Sequence, residues 1–189
     1  MRLKLALAAL LLPSMALAHT GVGAHGSPFV AGLLHPLLGP DHLLTMVAVG
    51  IFAAMTDGQA RWAYPASFVA AMVVGGLLGF GGAALPVIEP TILASVIVLG
   101  LAIAFALRPP LPLACAAVAV FGVAHGYAHG LEGPDLGGLP YGAGFVVATT
   151  CLHGLGLALG FTAGAFGRPA LVRALGVLTT LGGLYLVAG

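Results

Sequence analysis

Residues 29–55 read FVAGLLHPLLGPDHLLTMVAVGIFAAM, a largely apolar stretch that nevertheless contains two histidines and an aspartate. It is long enough for a membrane span, which needs about 20 residues. Pro36 and Pro40 each lack a backbone donor and Gly39 lies between them, so we predict a span broken at these three residues. Irregular backbone inside a membrane is tolerated where it lines a polar cavity. The stretch therefore predicts a membrane fold with an internal site.

The whole chain of 189 residues has this apolar character, with 60% hydrophobic residues, 6% charged residues and a mean hydropathy of +1.14. Soluble domains carry about 25% charged residues, so we predict an all-α membrane protein that contacts membrane lipid. Turn-rich separators such as GPDLGGLP divide the chain into six apolar segments. We predict that these segments are six transmembrane helices packed in one bundle. These lie at about 29–55, 63–84, 90–107, 111–131, 141–166 and 169–188. The glycines of GGLLG (75–79) predict close packing of two helices.

Residues 1–18 have the features of a cleavable signal peptide. Arg2 and Lys4 precede a short apolar core, and Ala16-Leu17-Ala18 supplies an A-x-A cleavage pattern. The alternative is an uncleaved anchor. Cleavage would leave a membrane domain of residues 19–189 with its N-terminus in the periplasm.

The charges of the loops favour the same orientation. Arg61, Arg108 and Arg168 would then be cytoplasmic, and the outer loops would hold acidic residues and no Lys or Arg. We therefore predict a multi-pass protein of the bacterial inner membrane. The net charge of +1 gives no basis for binding nucleic acid.

The string HGYAHGLE (125–132) contains a candidate metal-binding set. His125, His129 and Glu132 have spacings of four and three, which place them within about 60° of one another on a helix. Two imidazoles and a carboxylate on one face can bind a divalent first-row ion. The alternative is a pair of histidines with satisfied hydrogen bonds at a wet helix end, with Glu132 in solvent.

The string HPLLGPDH (35–42) supplies a second set. We expect His35 near the outer face and Asp41 and His42 deeper in the membrane. Because no Lys or Arg is available at that depth, Asp41 is protonated, bonded to histidine or bound to a cation. His153, about half-way down the fifth span, would share the deeper level with His42. Ligands at successive depths suit a permeation path, which requires binding and release.

Four further residues are candidates with ordinary alternatives. His19 and His25, in the mature N-terminal segment, either capture an ion at the outer face or belong to a tail without a role. Met46 offers a thioether or simply packs. Cys151 is either a soft ligand or, like Cys115, a buried packing residue.

The two strings also repeat a pattern. Residues 35–41 and 129–135 share H-x-L-x-G-P-D at identical spacing, in the first and fourth predicted spans. Two halves of three spans each would have inverted topology, as in some transporters. The alternative is chance.

HPLLGPDHLLTMVAVG (35–50) and HGYAHGLEG (125–133) resemble the signature strings of the HupE/UreJ family, membrane accessory proteins of hydrogenase and urease systems. The resemblance covers nearly the whole chain. It implies a permease that brings Ni(II) to the cytoplasm for metalloenzyme assembly, with nickel chaperones or maturation proteins as partners there. It also implies that the site residues are those of the two motifs, namely His35, Asp41, His42, His125, His129 and Glu132.

We therefore expect a divalent-metal permease and not an enzyme, with nickel as the first candidate for the ion. Imidazole and carboxylate would also bind copper, cobalt, zinc or iron. No GxxxxGK[ST] motif occurs, so the chain does not hydrolyse ATP itself. The alternatives are a membrane haem protein or metalloenzyme, and a metal-binding module without transport.

Overall fold

A computed structural model describes residues 27–165 and 169–189. The predicted signal peptide, His19, His25 and Arg168 lie outside the described residues. The part of the chain described contains α-helices and no strand, which confirms the all-α prediction. The helices are α1 (Pro28–Leu38), α2 (Pro40–Ala54), α3 (Ala60–Phe80), α4 (Ile88–Ala104), α5 (Leu111–Leu136), α6 (Leu139–Ala165) and α7 (Pro169–Ala188).

Helix lengths identify a multi-pass membrane protein. Four helices, α3, α5, α6 and α7, are long and apolar enough to cross a membrane, and α1 with α2 forms a fifth candidate bent by 80°. Helix α4 is apolar but has only 17 residues. Six crossings therefore require that the bent pair and α4 each count as one, and the number of six stays a prediction.

The predicted break in the first span is present, but it involves fewer residues than expected. Pro36 lies inside α1, so the prediction that it interrupts the helix is wrong. The break is at Gly39, whose extended backbone (φ −85°, ψ 111°) is the conformation that a following proline favours. Pro40 then begins α2 at a position where the missing N–H costs nothing. Gly39 still donates to the carbonyl of His35 and accepts from Leu43, so both helix ends are hydrogen-bonded.

The non-helical connection within GPDLGGLP (133–140) is shorter than predicted. Helix α5 continues through Gly133 to Leu136, and α6 begins at Leu139. The turn consists of Gly137 and Gly138, which both have positive φ (104° and 63°), a conformation that glycine adopts without steric cost. The Gly-Pro pair at 133–134 therefore does not end the helix.

Close packing between helices brings the polar residues together. Helix α3 packs on α5, α1 and α2 pack on α6, and α4 packs on α7. A Cβ on Gly75 would overlap the carbonyl oxygen of Val123, and one on Gly79 would overlap that of Tyr127. The close approach predicted from GGLLG is therefore present. Helix α2 is surrounded by the others, so its side chains from Met46 to Ala53 are almost all buried.

Candidate metal centre

Three histidines from three helices form a cluster next to the break at Gly39. His35 is in α1, His42 in α2 and His129 in α5, and one ring nitrogen from each lies within 4.8 Å of the others. Their ring centroids are separated by 4.4 Å (His35–His129), 4.5 Å (His42–His129) and 5.7 Å (His35–His42). His42 and His129 are buried, and His35 is half-buried. We call this group the three-histidine cluster.

Asp41 fixes the orientation of His42. Its Oδ1 accepts hydrogen bonds from the backbone N–H of His42 (2.9 Å) and from Nδ1 of the same residue (2.7 Å). With Nδ1 protonated, a neutral imidazole has its lone pair on Nε2. That Nε2 faces Nε2 of His129 at 2.5 Å. Of the three states considered for Asp41, the structure contains the one in which it is bonded to histidine.

His129 has a carboxylate behind it in the same way. Its Nδ1 lies 3.5 Å from Oε2 of Glu132, whose side chain is 52% exposed. Each string therefore contributes an imidazole whose Nδ1 faces a carboxylate and whose Nε2 faces the cluster. Metal-binding histidines usually have such a carboxylate or carbonyl partner, which fixes the tautomer and raises ligand basicity. Asp41 and Glu132 thus orient ligands in this geometry rather than pointing at the cluster centre themselves.

Two aromatic residues of α6 close one side of the cluster. The hydroxyl of Tyr141 is 2.9 Å from Nδ1 of His35 and 3.5 Å from Nδ1 of His129. The ring of Phe145 lies 4.1 Å from that of His129, measured between centroids. Tyr141 is 1% exposed and Phe145 3% exposed, so this side is shielded from solvent.

The donor set fits a divalent transition metal. Metal–nitrogen bonds of about 2.0–2.1 Å place two ligand nitrogens at most about 4 Å apart, so the nitrogens, now within 4.8 Å, need shifts of roughly 1 Å or less. Imidazole ligands suit Zn, Cu, Fe and Ni. Among the described residues Asp41 has no Lys or Arg partner, since the one Arg–carboxylate pair there is Arg61–Asp57. Its negative charge is therefore available to offset that of a cation.

His125 lies beside the cluster but outside it. Its ring centroid is 4.8 Å from that of His42, and its Nε2 is 3.1 Å from Oγ of Ser95. Ser95 in turn contacts the hydroxyl of Thr45 at 2.9 Å. The predicted set of His125, His129 and Glu132 therefore does not form one ligand group. His129 is part of the cluster, Glu132 contacts Nδ1 of His129, and His125 contacts Ser95.

His153 belongs to a row of side chains along one face of α6. The row has a spacing of four and consists of Tyr141, Phe145, Thr149 and His153, all of them buried. Its first two members contact the cluster. Thr149 donates to Sδ of Met46 at 3.2 Å, so the thioether is engaged with a hydroxyl inside the core.

The structure differs from the predicted arrangement in two further respects. His42 shares one cluster with His35 and His129, whereas we expected it at a deeper level with His153. Cys151 is exposed, so its assignment as a buried residue is wrong, and with a spacing of two it is on another face of α6 from His153. Sequence reasoning missed Tyr141, Phe145 and Thr149, although their spacing of four before His153 is a signal that could have found them.

Comparison with known proteins agrees with the motif strings. Residues 7–186 match the family model described as "HupE / UreJ protein". The chain is similar to a curated protein named "Protein HupE" from Rhizobium leguminosarum bv. viciae, with 44% identity over 186 residues. That alignment covers 97% of this chain and 95% of the relative. No solved structure matches.

Proposed function

The chain belongs to the HupE/UreJ family, and from this membership and the three-histidine cluster we propose that it transports a divalent transition metal, foremost Ni(II), inward across the bacterial inner membrane. The ion is the cargo and not a resident cofactor. We extend the proposal to its delivery to nickel chaperones or maturation proteins of metalloenzymes on the cytoplasmic side.

One observation carries the proposal. In an apolar bundle, His42 and His129 direct their Nε2 atoms at each other, with His35 beside them and a carboxylate behind each of the first two. Ionisable residues within membrane helices are costly and usually serve transport or relay. Hydrogen bonds between histidines do not require two orienting carboxylates, whereas metal-binding imidazoles do use them.

The row of side chains on α6 supports an inward path from this cluster. Below Tyr141 and Phe145, the same face presents the hydroxyl of Thr149 and the imidazole of His153. Each can bind a cation more weakly than three imidazoles together. Conduction needs sites that are strong enough to be entered and weak enough to be left, so a strong site followed by weaker ones suits transport.

We propose the topology that this path requires. Residues 1–18 are removed, residues 19–189 form the membrane domain, and the N-terminus is periplasmic. The bent pair α1–α2 is the first of six crossings and the short α4 is the third. This orientation puts Arg61, in the first turn of α3, and Arg108, in the loop before α5, on the cytoplasmic side.

Uptake of labelled nickel into proteoliposomes tests the proposal. We expect accumulation with time for the parent chain and loss of uptake for His129→Ala. Leu131→Ala, a change at an exposed neighbour on the same helix, is the matched control and should behave like the parent. Absence of uptake above protein-free vesicles, with nickel binding retained, would instead identify a metal-binding module.

The identity of the cargo is tested by competition. The Irving–Williams order predicts that Cu(II) binds the same nitrogen set at least as tightly as Ni(II). Adding Cu(II), Zn(II), Co(II) or Fe(II) to the uptake assay measures whether transport prefers nickel. A purified protein with a Soret absorption band would support the haem alternative and contradict the transport proposal.

A further inference from the structure

Two buried histidines outside the three-histidine cluster have ring nitrogens without a hydrogen-bond partner. These nitrogens are Nδ1 of His125 and both nitrogens of His153. The two residues are 0% and 2% exposed. Buried polar groups nearly always have partners, so each exception needs an explanation, of which a ligand is one.

Ser95 determines which nitrogen of His125 can bind a metal. The Ser95 hydroxyl donates to the carbonyl of Ile92 at 2.6 Å, so it has no proton left for the imidazole. It must accept instead, and Nε2 of His125, at 3.1 Å, is therefore the protonated nitrogen. The lone pair of the neutral ring is then on Nδ1, the nitrogen without a partner. His125 thus presents a free metal-binding atom inside the bundle.

Sulfur atoms and His153 lie in the same part of the core. The ring of Phe68 contacts both unpartnered imidazoles, with centroid separations of 5.6 Å to His125 and 5.2 Å to His153. One helical turn from Phe68 on α3 is Met72. Thr149, one turn from His153 on α6, donates to Sδ of Met46 at 3.2 Å and contacts Sδ of Met72 at 3.6 Å.

We propose that His125 and His153, with the thioethers of Met46 and Met72, form a second metal site, distinct from the three-histidine cluster and next to it. Thioethers are soft and imidazoles intermediate, so the site suits a borderline or soft ion of the late first row. No carboxylate contacts its imidazoles, whereas a carboxylate contacts each of two imidazoles of the cluster, and it should therefore bind a divalent ion more weakly than the cluster. The inference that the transported ion moves from the cluster to this site rests on the proposed function. The inference that this site binds a metal ion does not.

Nickel stoichiometry of the purified full chain tests the site. With Ni²⁺ alone, equilibrium dialysis should find two ions per parent chain, one bound tightly and one weakly. His153→Leu should lose the weak ion and keep the tight one. His129→Ala should weaken the tight ion by at least about ten-fold. Two ions of unchanged affinity in His153→Leu would overturn the proposal.

Methionine variants keep the test valid if His153→Leu fails to fold. Met46→Leu and Met72→Leu conserve volume and are tolerated in most cores. X-ray absorption of the nickel-saturated parent should contain a sulfur contribution that disappears in the double variant. Met55→Leu, outside this part of the core, is the matched control. A spectrum of nitrogen and oxygen ligands alone in the parent would contradict the assignment of the thioethers.

Proteoliposome uptake separates this inference from the proposed function. Two bound ions without uptake would support the second site and reject transport. Uptake by the parent with one bound ion, unaffected by His153→Leu, would support transport and reject the second site. Uptake that falls in His153→Leu together with the weak ion would support both.

Discussion

The strings at residues 35–41 and 129–135 share H-x-L-x-G-P-D but fold differently. In the first string the chain leaves the helix at Gly39, and α2 starts at Pro40. In the second string α5 continues through Gly133 and ends at Leu136. A Gly-Pro pair therefore permits a break without requiring one. The segments that follow the two pairs also differ, because residues 42–54 form a largely buried helix, whereas Gly137 and Gly138 make a turn.

The resemblance of the two strings extends to their packing. A Cβ on Gly32, three residues before His35, would overlap the carbonyl oxygen of Tyr141 on α6. A Cβ on Gly126, three residues before His129, would overlap the carbonyl oxygen of Met72 on α3. Each string thus begins next to a close helix crossing, and the rings of the two string histidines are 4.4 Å apart.

The strings use different carboxylates. In the first, the aspartate at the end of the pattern, Asp41, bonds the histidine that follows it. In the second, the corresponding Asp135 is exposed, and Glu132 inside the pattern approaches His129. The comparison teaches that identical spacing does not fix the partner of the shared histidine, because His35 contacts the Tyr141 hydroxyl whereas His129 has Glu132 beside it.

Removing the shared histidine of either string should have the largest effect. His35→Ala and His129→Ala each delete one of three nitrogens, so nickel affinity should fall by at least roughly 10–100-fold, the loss seen when only a ligand's orienting partner is removed. Isothermal titration measures it, with Leu131→Ala as the control. Unequal losses would show that the strings do not contribute equally.

Substitution of the two aspartates at equivalent positions, Asp41 and Asp135, should have clearly different effects on nickel affinity. Asp41→Asn keeps an oxygen that can accept from His42 but removes the negative charge behind that imidazole, and it should weaken nickel binding by about 10–100-fold. Asp135→Asn, at the equivalent position, should leave affinity within about two-fold, as expected for an exposed residue. Equal effects in the same titration would contradict the distinction between their carboxylates.

Tyr141 connects the two strings, and its loss should have a smaller effect. Tyr141→Phe removes the hydroxyl near Nδ1 of His35 and His129 while keeping the ring. One hydrogen bond contributes about 1 kcal/mol, so affinity should fall by about five-fold. Tyr185→Phe, at a position 52% exposed, is the control. An unchanged affinity would mean that the hydroxyl does not orient either histidine.

The glycines of the two strings should give the smallest effect, on stability. In Gly133→Ala the added Cβ meets Phe80 at an ordinary 3.5 Å, so this helical site should gain at most about 0.5–1 kcal/mol. The gain is reduced because Pro134 disfavours helical backbone for a preceding residue with a Cβ. In Gly39→Ala the Cβ would lie 3.1 Å from Oδ1 of Asp41 and 3.2 Å from Nδ1 of His42, so no gain is expected. Thermal unfolding in detergent measures both. A gain at Gly39 equal to that at Gly133 would show that the break tolerates a side chain.

Much of the fold followed from local sequence. Two prolines that lack a backbone donor, with Gly39 between them, predicted the break, and GGLLG predicted a close helix crossing. Pro36 and the segment after Glu132 were misjudged because a proline or Gly-Pro pair near a helix end can be accommodated when the surrounding helices hold the backbone. The number of crossings and the orientation stay predictions.

The sequence by itself determined that this is an apolar helical protein and that its histidines are concentrated in two strings, since composition and local propensity act over a few residues. The tertiary structure decided which histidines meet. His42 and His129 are 87 positions apart and on different helices, and no helical spacing relates them. Their contact depends on the packing of helices that are distant in the sequence, which also decides that His42 joins the cluster and that His125 contacts Ser95.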